Sequence, residues 1–584
     1  MTANSMRPFL HVTPLQGRLN DPNGLCIAGN TLHIFYQHDP VSPSTPKRTG
    51  WGHASVPIVG KDAWRITHHP DSLYPAHSYD TQGCYSGNAV ALNKNGRNGK
   101  GSTDSLAIFY TGNVKFPAEN GKIRRRTTQN LVCATNDPVV GLEFRHHPEN
   151  PVIDGPPPGF TDHFRDPMVT RDYGGKRRWR MVIGAQRNDL TGGIALYRSD
   201  DLVHWAYEGE LIFDVKSAHP GSAPDILPRG YMWECPNLFR MHDRSTGEDL
   251  DVLVLCPQGL SERRINGVRH YASSDQCGYI VGKLEGTTFS VIRGFSELDY
   301  GHTIYAPQFT DGSRILDRQE LNKKTDVVQK DHLKDHDGSV VKTSSAEKSF
   351  YRRWPHRDSL AIELAAELRE EGEQVEPAQV EHVDKTYLRE IDDDNLRRVE
   401  GEPEERTRDD VWDSAVMLGW MGLPDADVAP TMSAAGWVHS LTMPRRVVLR
   451  NHRLAQSFLP DAETIRSCAA EAAEVNDYGP FWVQYREVAA LGDGDVLHSV
   501  LLTDTGGNQA ARIDITPGRV SAEINGDMRG ADIDTEYLQG STSIIVDGCT
   551  LEVLAGGGQI ALSSMVYPSA GETWCQLREE TSPM

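Results

Sequence analysis

Three carboxylates stand out in the sequence because of the residues beside them. Asp21 lies in the turn-forming run NDPNG, Asp166 in RDP, and Glu234 in WECP. Proline and glycine force turns around Asp21, so its side chain is expected at a bend in the backbone. Each run by itself is also typical of an ordinary turn, a surface ion pair or a paired structural carboxylate.

The neighbours of these acids predict different charge states. The guanidinium of Arg165 is expected to keep the adjacent Asp166 ionised. Glu234, between Trp233 and Cys235, is expected in apolar surroundings that favour its protonated form, as a general acid requires. One ionised and one protonated carboxylate flanking a glycosidic bond is the arrangement that glycoside hydrolysis needs. Together the three acids indicate that chemistry.

Residues 1 to about 316 have the pattern of short strands separated by turns, which predicts an all-β region. A weak repeat runs through it, in which a strand and a polar turn precede an aromatic residue that begins the next strand. Its four copies are Trp51–Ser55 with Trp64, Val132–Asn136 with Phe144, Leu196–Asp201 with Trp205, and Gly278–Gly282 with Phe289. Spacings of about 60 to 80 residues predict four-stranded propeller blades, with Val416–Trp420 in a fifth. A propeller would bring distant residues together around one axial pocket.

The next segment, from about 317 to 410, is highly charged and poor in glycine. Leucines four residues apart predict an amphipathic helix over Ser359–Glu370. We interpret the segment as a solvated insertion in a propeller loop. Regular short strands return after it and predict a β-sandwich. The predicted domains are therefore a propeller over residues 1–450 and a sandwich over 451–584.

Composition excludes several classes of partner. The formal net charge of −21 disfavours nucleic acid and anionic membranes, and no apolar run is long enough to span a membrane. Nine cysteines without CxxC pairs indicate free thiols, so we expect a cytoplasmic protein. The histidine-rich spots lack metal-ligand spacing, and no metal or cofactor is expected. The predicted partner is a small sugar; the sequence leaves the oligomeric state open.

Six short motifs, in their order along the chain, resemble those of glycoside hydrolase family 32. That family comprises the invertases, sucrose-6-phosphate hydrolases, levanases and inulinases. The motifs are NDPNG at 20–24, YSG at 85–87, FRDP at 164–167, WECP at 233–236, YAPQ at 305–308 and GWMG at 419–422. The resemblance implies a five-bladed β-propeller followed by a β-sandwich. It covers nearly the whole chain except the charged insertion.

The resemblance also implies roles for individual residues. Asp21 corresponds to the nucleophile, Asp166 to the transition-state stabiliser and Glu234 to the acid/base. The implied substrate-binding residues are Asn20, Gln37, Trp51, Tyr85, Ser86 and Arg165. The run CPQG at 256–259 resembles the bacterial cytoplasmic branch of the family.

Two departures from the family pattern concern the walls of the site. Arg18 stands where the family usually has a tryptophan before NDPNG, and Thr303 stands where it usually has a sugar-binding aspartate. The predicted activity is hydrolysis of the fructosyl bond of sucrose or sucrose 6-phosphate. The alternatives are a fructosyltransferase, an exo-acting hydrolase of short fructans, a sialidase-like propeller and a non-catalytic sugar-binding propeller.

Overall fold

A computed structural model describes most of the chain and is rich in β-strands. The described residues are 6–44, 48–60, 62–92, 105–117, 123–137, 141–172, 178–265, 268–273, 275–313, 315, 411–422, 429–474, 483–489, 496–533 and 540–583. The predicted helix over Ser359–Glu370 and most of the charged insertion lie outside these residues. The described residues up to 313 and from 411 onward belong to one compact unit.

This unit contains five mainly antiparallel sheets that form the blades of a β-propeller. Blade one consists of β1 Gly17–Ala28, β2 Thr31–Asp39, β3 Gly50–Pro57 and β4 Thr67–Leu73. Blade two consists of β5 Cys84–Leu92, β6 Ser105–Pro117, β7 Ile123–Asp137 and β8 Gly141–His146. Blade three consists of β9 Phe160–Arg171, β10 Trp179–Arg187, β11 Gly192–Ser199 and β12 Ala206–Glu210. Within each blade, every strand pairs with the one before it, so chain order is also order from the axis outward.

Blades four and five are interrupted by additional short strands. Their members are β13 Ile212–Asp214, β14 Met232–His242, β15 Asp249–Gln258, β18 Gly278–Glu285 and β19 Thr288–Glu297; β20 Tyr305–Asp311, β21 Ala415–Met421, β23 Ser440–Leu441, β24 Arg445–Arg450 and β25 Arg453–Phe458. A small hairpin is made by β16 Arg263–Ile265 and β17 Val268–His270. The last strand of blade five lies just past the boundary that we predict at residue 450.

The sequence repeat corresponds to a fixed place in the blades. In blades one to four, the repeated segment lies in the third strand, and the aromatic residue lies at or just before the fourth. The predicted Val416–Trp420 segment is instead in the second strand of blade five. The prediction of five blades is confirmed, because buried strands with a common pattern recur at the spacing of one blade.

The five innermost strands close into a ring. Each of β1, β5, β9, β14 and β20 contacts the next, and β20 contacts β1. The ring is closed by β22, Trp437–Val438, which pairs in parallel with β1. Trp437 is fully buried, and Arg7 stacks on its ring at 4.5 Å. A segment that follows the second strand of blade five therefore packs against the N-terminal part of the propeller.

Two further sheets form the C-terminal β-sandwich. Their strands are β26 Val483–Val488, β31 Thr542–Asp547, β32 Thr550–Ala555 and β33 Ile560–Met565; β27 Val496–Thr503, β28 Gln509–Thr516, β29 Arg519–Ile524, β30 Asp527–Asp532 and β34 Arg578–Pro583. The helices are α1 Pro430–Ala435 and α2 Ala462–Glu474, with a 3-10 turn at Gly556–Gly558. Alternating apolar residues of both sheets share one core, as the period of two requires.

Among the described residues, no helix is long and apolar enough to cross a membrane.

Candidate active site

Every innermost strand is bulged at the same level of the propeller. The register with the neighbouring strand shifts between Leu19 and Pro22, and likewise around residues 85–86, 166–167, 235–236 and 306–307. In four of the five strands a proline ends the bulge, and in β5 a glycine does. Proline has no N–H to give to the ladder, and a bulge re-aims the neighbouring side chain. The same device therefore turns residues of five blades toward the axis.

The bulged residues line a small axial cavity that is open to solvent. Three of them, Asp166, Cys235 and Ala306, have positive φ angles of 68°, 47° and 45°. Non-glycine residues with positive φ carry strain that the surrounding structure must hold in place. Their concentration here marks this end of the axis as the candidate site.

Asp21 is anchored by a short chain of hydrogen bonds. The Ser86 hydroxyl donates to Asp21 Oδ2 at 2.5 Å, and the Gln37 amide donates to Ser86 Oγ at 2.5 Å. Burial raises the pKa of Asp21 to about 6, the bond from Ser86 lowers it, and the charge of Glu234 raises it. At neutral pH Asp21 is thus mainly ionised and held in one orientation.

Asp166 lies beside Asp21, and the thiol of Cys235 lies between them. Cys235 Sγ is 3.7 Å from Asp21 Oδ2 and 3.6 Å from Asp166 Oδ2, and its backbone N–H donates to Asp166 at 3.0 Å. Burial raises the pKa of Asp166 to about 7, against the charge of Arg165, while Glu234 and Asp21 raise it further. The two aspartates therefore titrate together rather than independently.

Glu234 is held by two polar groups. The Arg165 guanidinium donates to Glu234 Oε1 at 2.8 and 2.6 Å, and the Tyr305 hydroxyl donates to Oε2 at 2.7 Å. Burial and the charge of Glu234 raise the pKa of Tyr305, so its hydroxyl stays protonated as a donor. Both carboxylate oxygens of Glu234 are thus fixed in position.

These contacts correct the partners that we predict from the sequence. The guanidinium of Arg165 bonds to Glu234 in the next blade. Burial raises the pKa of Asp166 to about 7 although the charge of Arg165 lowers it, so the expectation that Arg165 keeps Asp166 ionised is wrong. The expected apolar surroundings of Glu234 are also wrong. The physical reason is that successive strand residues face opposite ways and a bulge intervenes, so sequence neighbours do not share partners.

The remaining residues implied by the resemblance are distributed around and behind the cavity. Asn20 and Tyr85 are half-buried in the bulges of β1 and β5. Trp51 is fully buried, and its indole N–H donates to the Tyr85 carbonyl at 3.0 Å. The structure therefore places Trp51 behind the site, where it supports the bulge that carries Ser86.

The two residues that depart from the family pattern, Arg18 and Thr303, make different contacts. Arg18 is buried with its guanidinium 5.9 Å from the centre of the Trp420 ring. Thr303 Oγ1 accepts a hydrogen bond from the Met565 N–H at 2.7 Å, so this side chain bonds to the sandwich.

Two residues that contribute to the site carry no assigned role in the sequence argument. Tyr305 belongs to the quoted YAPQ run, and the common signal that points to it is the proline-ended bulge of each inner strand. His163 Nδ1 contacts Arg165 Nη1 at 3.2 Å, and burial and the charge of Arg165 lower the pKa of His163 to about 4. His163 is therefore neutral at physiological pH.

Among the residues described, no group of three or more histidine, cysteine or acidic side chains could hold a metal ion.

Comparison with known proteins decides the family. The model for the glycosyl hydrolases family 32 N-terminal domain matches residues 11–321, about half of the chain. The chain belongs to glycosyl hydrolase family 32. The site described above lies within the matched region of this family 32 chain.

Relatives with known names match about half of the family 32 chain. It is 33% identical to the sucrose-6-phosphate hydrolase of Klebsiella pneumoniae over 318 residues, covering 54% of this chain and 58% of that protein. It is 35% identical to the Bacillus subtilis sucrose-6-phosphate hydrolase over 314 residues, covering 53% and 56%. The chain thus spans somewhat over half the length of the curated relatives it matches.

Solved structures resemble the fold over nearly its whole length. A mutant of the GH32 β-fructofuranosidase of Bombyx mori, in complex with sucrose, matches with a TM-score of 0.61 and 23% identity, covering 99% of this chain and 93% of that one. The sucrose-6-phosphate hydrolase of Lactobacillus gasseri matches with a TM-score of 0.58 and 18% identity, covering 100% and 94%. At these identities the likeness concerns the fold.

Proposed function

We propose that this family 32 chain is a retaining β-fructofuranosidase that hydrolyses the fructosyl bond of sucrose or sucrose 6-phosphate. The supporting observation is the convergence of Asp21, Asp166 and Glu234 from three blades at the bulged end of the propeller axis, where Cys235 contacts both aspartates and Arg165 holds Glu234. The names of its relatives agree with this substrate class. All nine cysteines are free thiols, which fits a reducing compartment, and we propose a cytoplasmic enzyme.

In this proposal Asp21 attacks the anomeric carbon of the fructosyl unit. Its carboxylate is the member of the cluster that Ser86 and Gln37 orient, as a nucleophile requires. Glu234 protonates the leaving oxygen and then, as a base, activates the water that releases fructose. Arg165 and Tyr305 hold Glu234 in position for both steps.

Asp166 stabilises the fructosyl centre. It is buried beside Asp21, and we propose that its carboxylate accepts hydrogen bonds from fructosyl hydroxyls. Such bonds strengthen as positive charge develops in the transition state, which is where they accelerate the reaction. Asn20, Tyr85, Ser86 and Arg165 are the proposed further contacts of this sugar, and Trp51 acts by supporting Tyr85.

The test separates the role of Glu234 from that of Asp166. The leaving group of sucrose is a sugar alkoxide, which needs a proton to depart. Glu234→Ala is therefore expected to lower the turnover of sucrose by about 10²–10⁴. A fructoside with an acidic leaving group needs little protonation, so formation of the fructosyl-enzyme should be nearly spared. Added azide should then replace water and yield a β-fructosyl azide. Asp166→Ala should impair both substrates alike, whatever the leaving group.

The measurement is the turnover of both variants on sucrose and on an activated fructoside, with and without azide. Equal impairment of Glu234→Ala on both substrates, without rescue by azide, contradicts the assignment of Glu234. Asp21→Asn should be folded and inactive; retained turnover contradicts the mechanism. Product analysis at high sucrose concentration distinguishes hydrolysis from fructosyl transfer, because a transferase forms longer saccharides.

A further inference from the structure

Two basic side chains face each other at the tip of blade two. Lys115 in β6 and Arg125 in β7 are directly opposed in the antiparallel register. Directly opposed residues project to the same face of a sheet, with their Cβ atoms about 5 Å apart. Like charges in this relation are destabilising. The pair therefore lowers the stability of the hairpin formed by β6 and β7.

No carboxylate offsets this cost within the part of the chain that the structure describes. Neither Lys115 nor Arg125 has an ion-pair partner there, whereas the next residue, Arg126, pairs with Asp154. The chain has 81 acidic and 60 basic residues, so two neighbouring basic side chains without an acidic partner are unusual in it. An anion that is not part of the described protein would relieve the repulsion.

The pair lies beside the candidate active site. The guanidinium of Arg125 is 6.0 Å from the centre of the Tyr85 ring, and Tyr85 precedes the Ser86 that anchors Asp21. The charge of Arg125 also acts on His163, which contacts Arg165, the partner of Glu234. Arg125 thus lies beside Tyr85 and near His163, which adjoin the residues that hold Asp21 and Glu234.

We propose that Lys115 and Arg125 bind a phosphate ester carried by the leaving sugar of the substrate. This inference rests on the proposed function and selects, within it, a phosphorylated sucrose over sucrose itself. A guanidinium offers paired donors to phosphate oxygens, and an ammonium adds a point charge. Because the protein carries a net charge of −21, a phosphate dianion needs such a local positive region to approach the site.

The chain offers a matched control in the neighbouring residue. Arg124 has the same charge and lies in the same strand, but it projects to the opposite face and contacts the Phe116 ring at 6.0 Å. Replacing Arg124 or Arg125 removes the same charge, so any general effect of net charge is common to both variants. Only the position of the charge relative to the cavity differs between them.

The experiment compares kcat/KM for sucrose 6-phosphate and for sucrose in wild type, Lys115→Gln, Arg125→Gln, Arg125→Lys and Arg124→Gln. Wild type should favour the phosphorylated substrate. Arg125→Gln should lower the ratio of the two kcat/KM values about tenfold to a hundredfold, as loss of a charge-assisted hydrogen bond implies. Lys115→Gln should lower it less, Arg125→Lys should keep part of it, and Arg124→Gln should leave it unchanged.

Several results would overturn this assignment. They are an unchanged ratio in Arg125→Gln, an equal fall in Arg124→Gln, and a wild type that hydrolyses sucrose without preference for its phosphate. If wild type hydrolyses neither sugar, the proposed function itself fails and the inference with it. Thermal unfolding of each variant separates loss of phosphate binding from loss of fold, because the substrate ratio is measured on folded protein.

Discussion

At the scale of single residues, the site depends on how each carboxylate is paired. Asp21 is bonded by Ser86, Glu234 by Arg165 and Tyr305, and the thiol of Cys235 lies between the two aspartates. Because these partners come from four different blades, the charge state of each acid depends on the closed ring. A change of one hydrogen bond should therefore appear in the pH profile.

The pH profile of the Ser86→Ala variant tests this pairing. The pKa of Asp21 is raised to about 6 and that of Asp166, which titrates with it, to about 7, so wild-type kcat/KM should fall as the pH drops through that region. The bond from Ser86 lowers this pKa, and its loss should move the acidic limb upward by about one pH unit or more. The measurement is kcat/KM from pH 4.5 to 8.

Ser105→Ala serves as the control for this experiment. The Ser105 hydroxyl bonds only the Leu92 carbonyl among the described residues, in the same blade as Ser86. Its profile should coincide with that of wild type. If the acidic limb of Ser86→Ala also coincides with wild type, the Ser86 bond does not set the ionisation of Asp21.

At the scale of elements, blade one carries a ladder of histidines on its outer strands. His33, His53 and His69 follow one another across β2, β3 and β4, with ring centroids 5.4 and 4.4 Å apart. Burial is the main cause that lowers their pKa values, to about 4 for His33 and well below the usual value for His53. The folded protein therefore holds all three rings neutral at physiological pH.

This ladder predicts that acid destabilises the protein. Above pH 6.5 the histidines are neutral in both the folded and the unfolded chain, and their contribution to stability is complete. As the pH falls from 6.5 toward 4, the unfolded chain binds protons first, so the free energy of unfolding decreases. His53→Phe keeps the stack with Phe35 and removes the most buried of these groups, so it should reduce that decrease.

The measurement is the midpoint of thermal unfolding between pH 7.5 and 4.5. His204→Phe is the control, because His204 is exposed and its bond to Asp201 raises its pKa. This variant should retain the acid sensitivity of wild type. An unchanged pH dependence in His53→Phe would show that the ladder does not govern acid stability.

At the scale of the whole molecule, a buried charge network joins the propeller to the sandwich. Glu552 in β32 is bonded by Arg445 in β24 at 2.9 Å and by His11 at 2.7 Å. Arg445 also donates to Asp299 at 3.0 Å, in the chain that leads to Tyr305. All four side chains are buried, so each charge depends on its partners for compensation.

Removal of the Glu552 charge should therefore destabilise the protein strongly. Glu552→Gln leaves Arg445 and His11 with less compensation, and the expected loss is about 3–5 kcal/mol of the free energy of unfolding. Asp532→Asn, which breaks the exposed pair with Arg519, should cost at most about 1 kcal/mol. Denaturant unfolding of both variants measures the difference, and similar losses would contradict the importance of the network.

The charged insertion is expected to be dispensable for the fold. The chain leaves and re-enters blade five at adjacent points, since Gly312 N–H donates to the Ser414 carbonyl and Asp413 N–H to Ser313 Oγ, both at 2.9 Å. A short linker can bridge such neighbours at little entropic cost. Replacing residues 320 to 408 by a Gly/Ser linker should preserve folding and most activity on sucrose. Insoluble or inactive protein would show that the segment is structural or shapes the site.

The sequence by itself determined the class of the protein and singled out the three candidate acids. Strand periodicity predicted the all-β fold, the repeat predicted the blades, and six ordered motifs indicated family 32. These signals are local. Side chains along a strand alternate between two faces with period two, and each motif occupies a few consecutive residues. Local patterns can be read without knowing which strands become neighbours.

The tertiary structure alone decided the partners. It assigned Arg165 to Glu234 rather than to Asp166, placed Trp51 behind the site, and set Arg125 beside the Tyr85 ring. The ionisation of Asp166 followed from burial and from charges contributed by other blades. The physical reason is that electrostatic and hydrogen-bond partners are set by distance in space, which the closure of the propeller ring fixes and the order of residues along the chain does not.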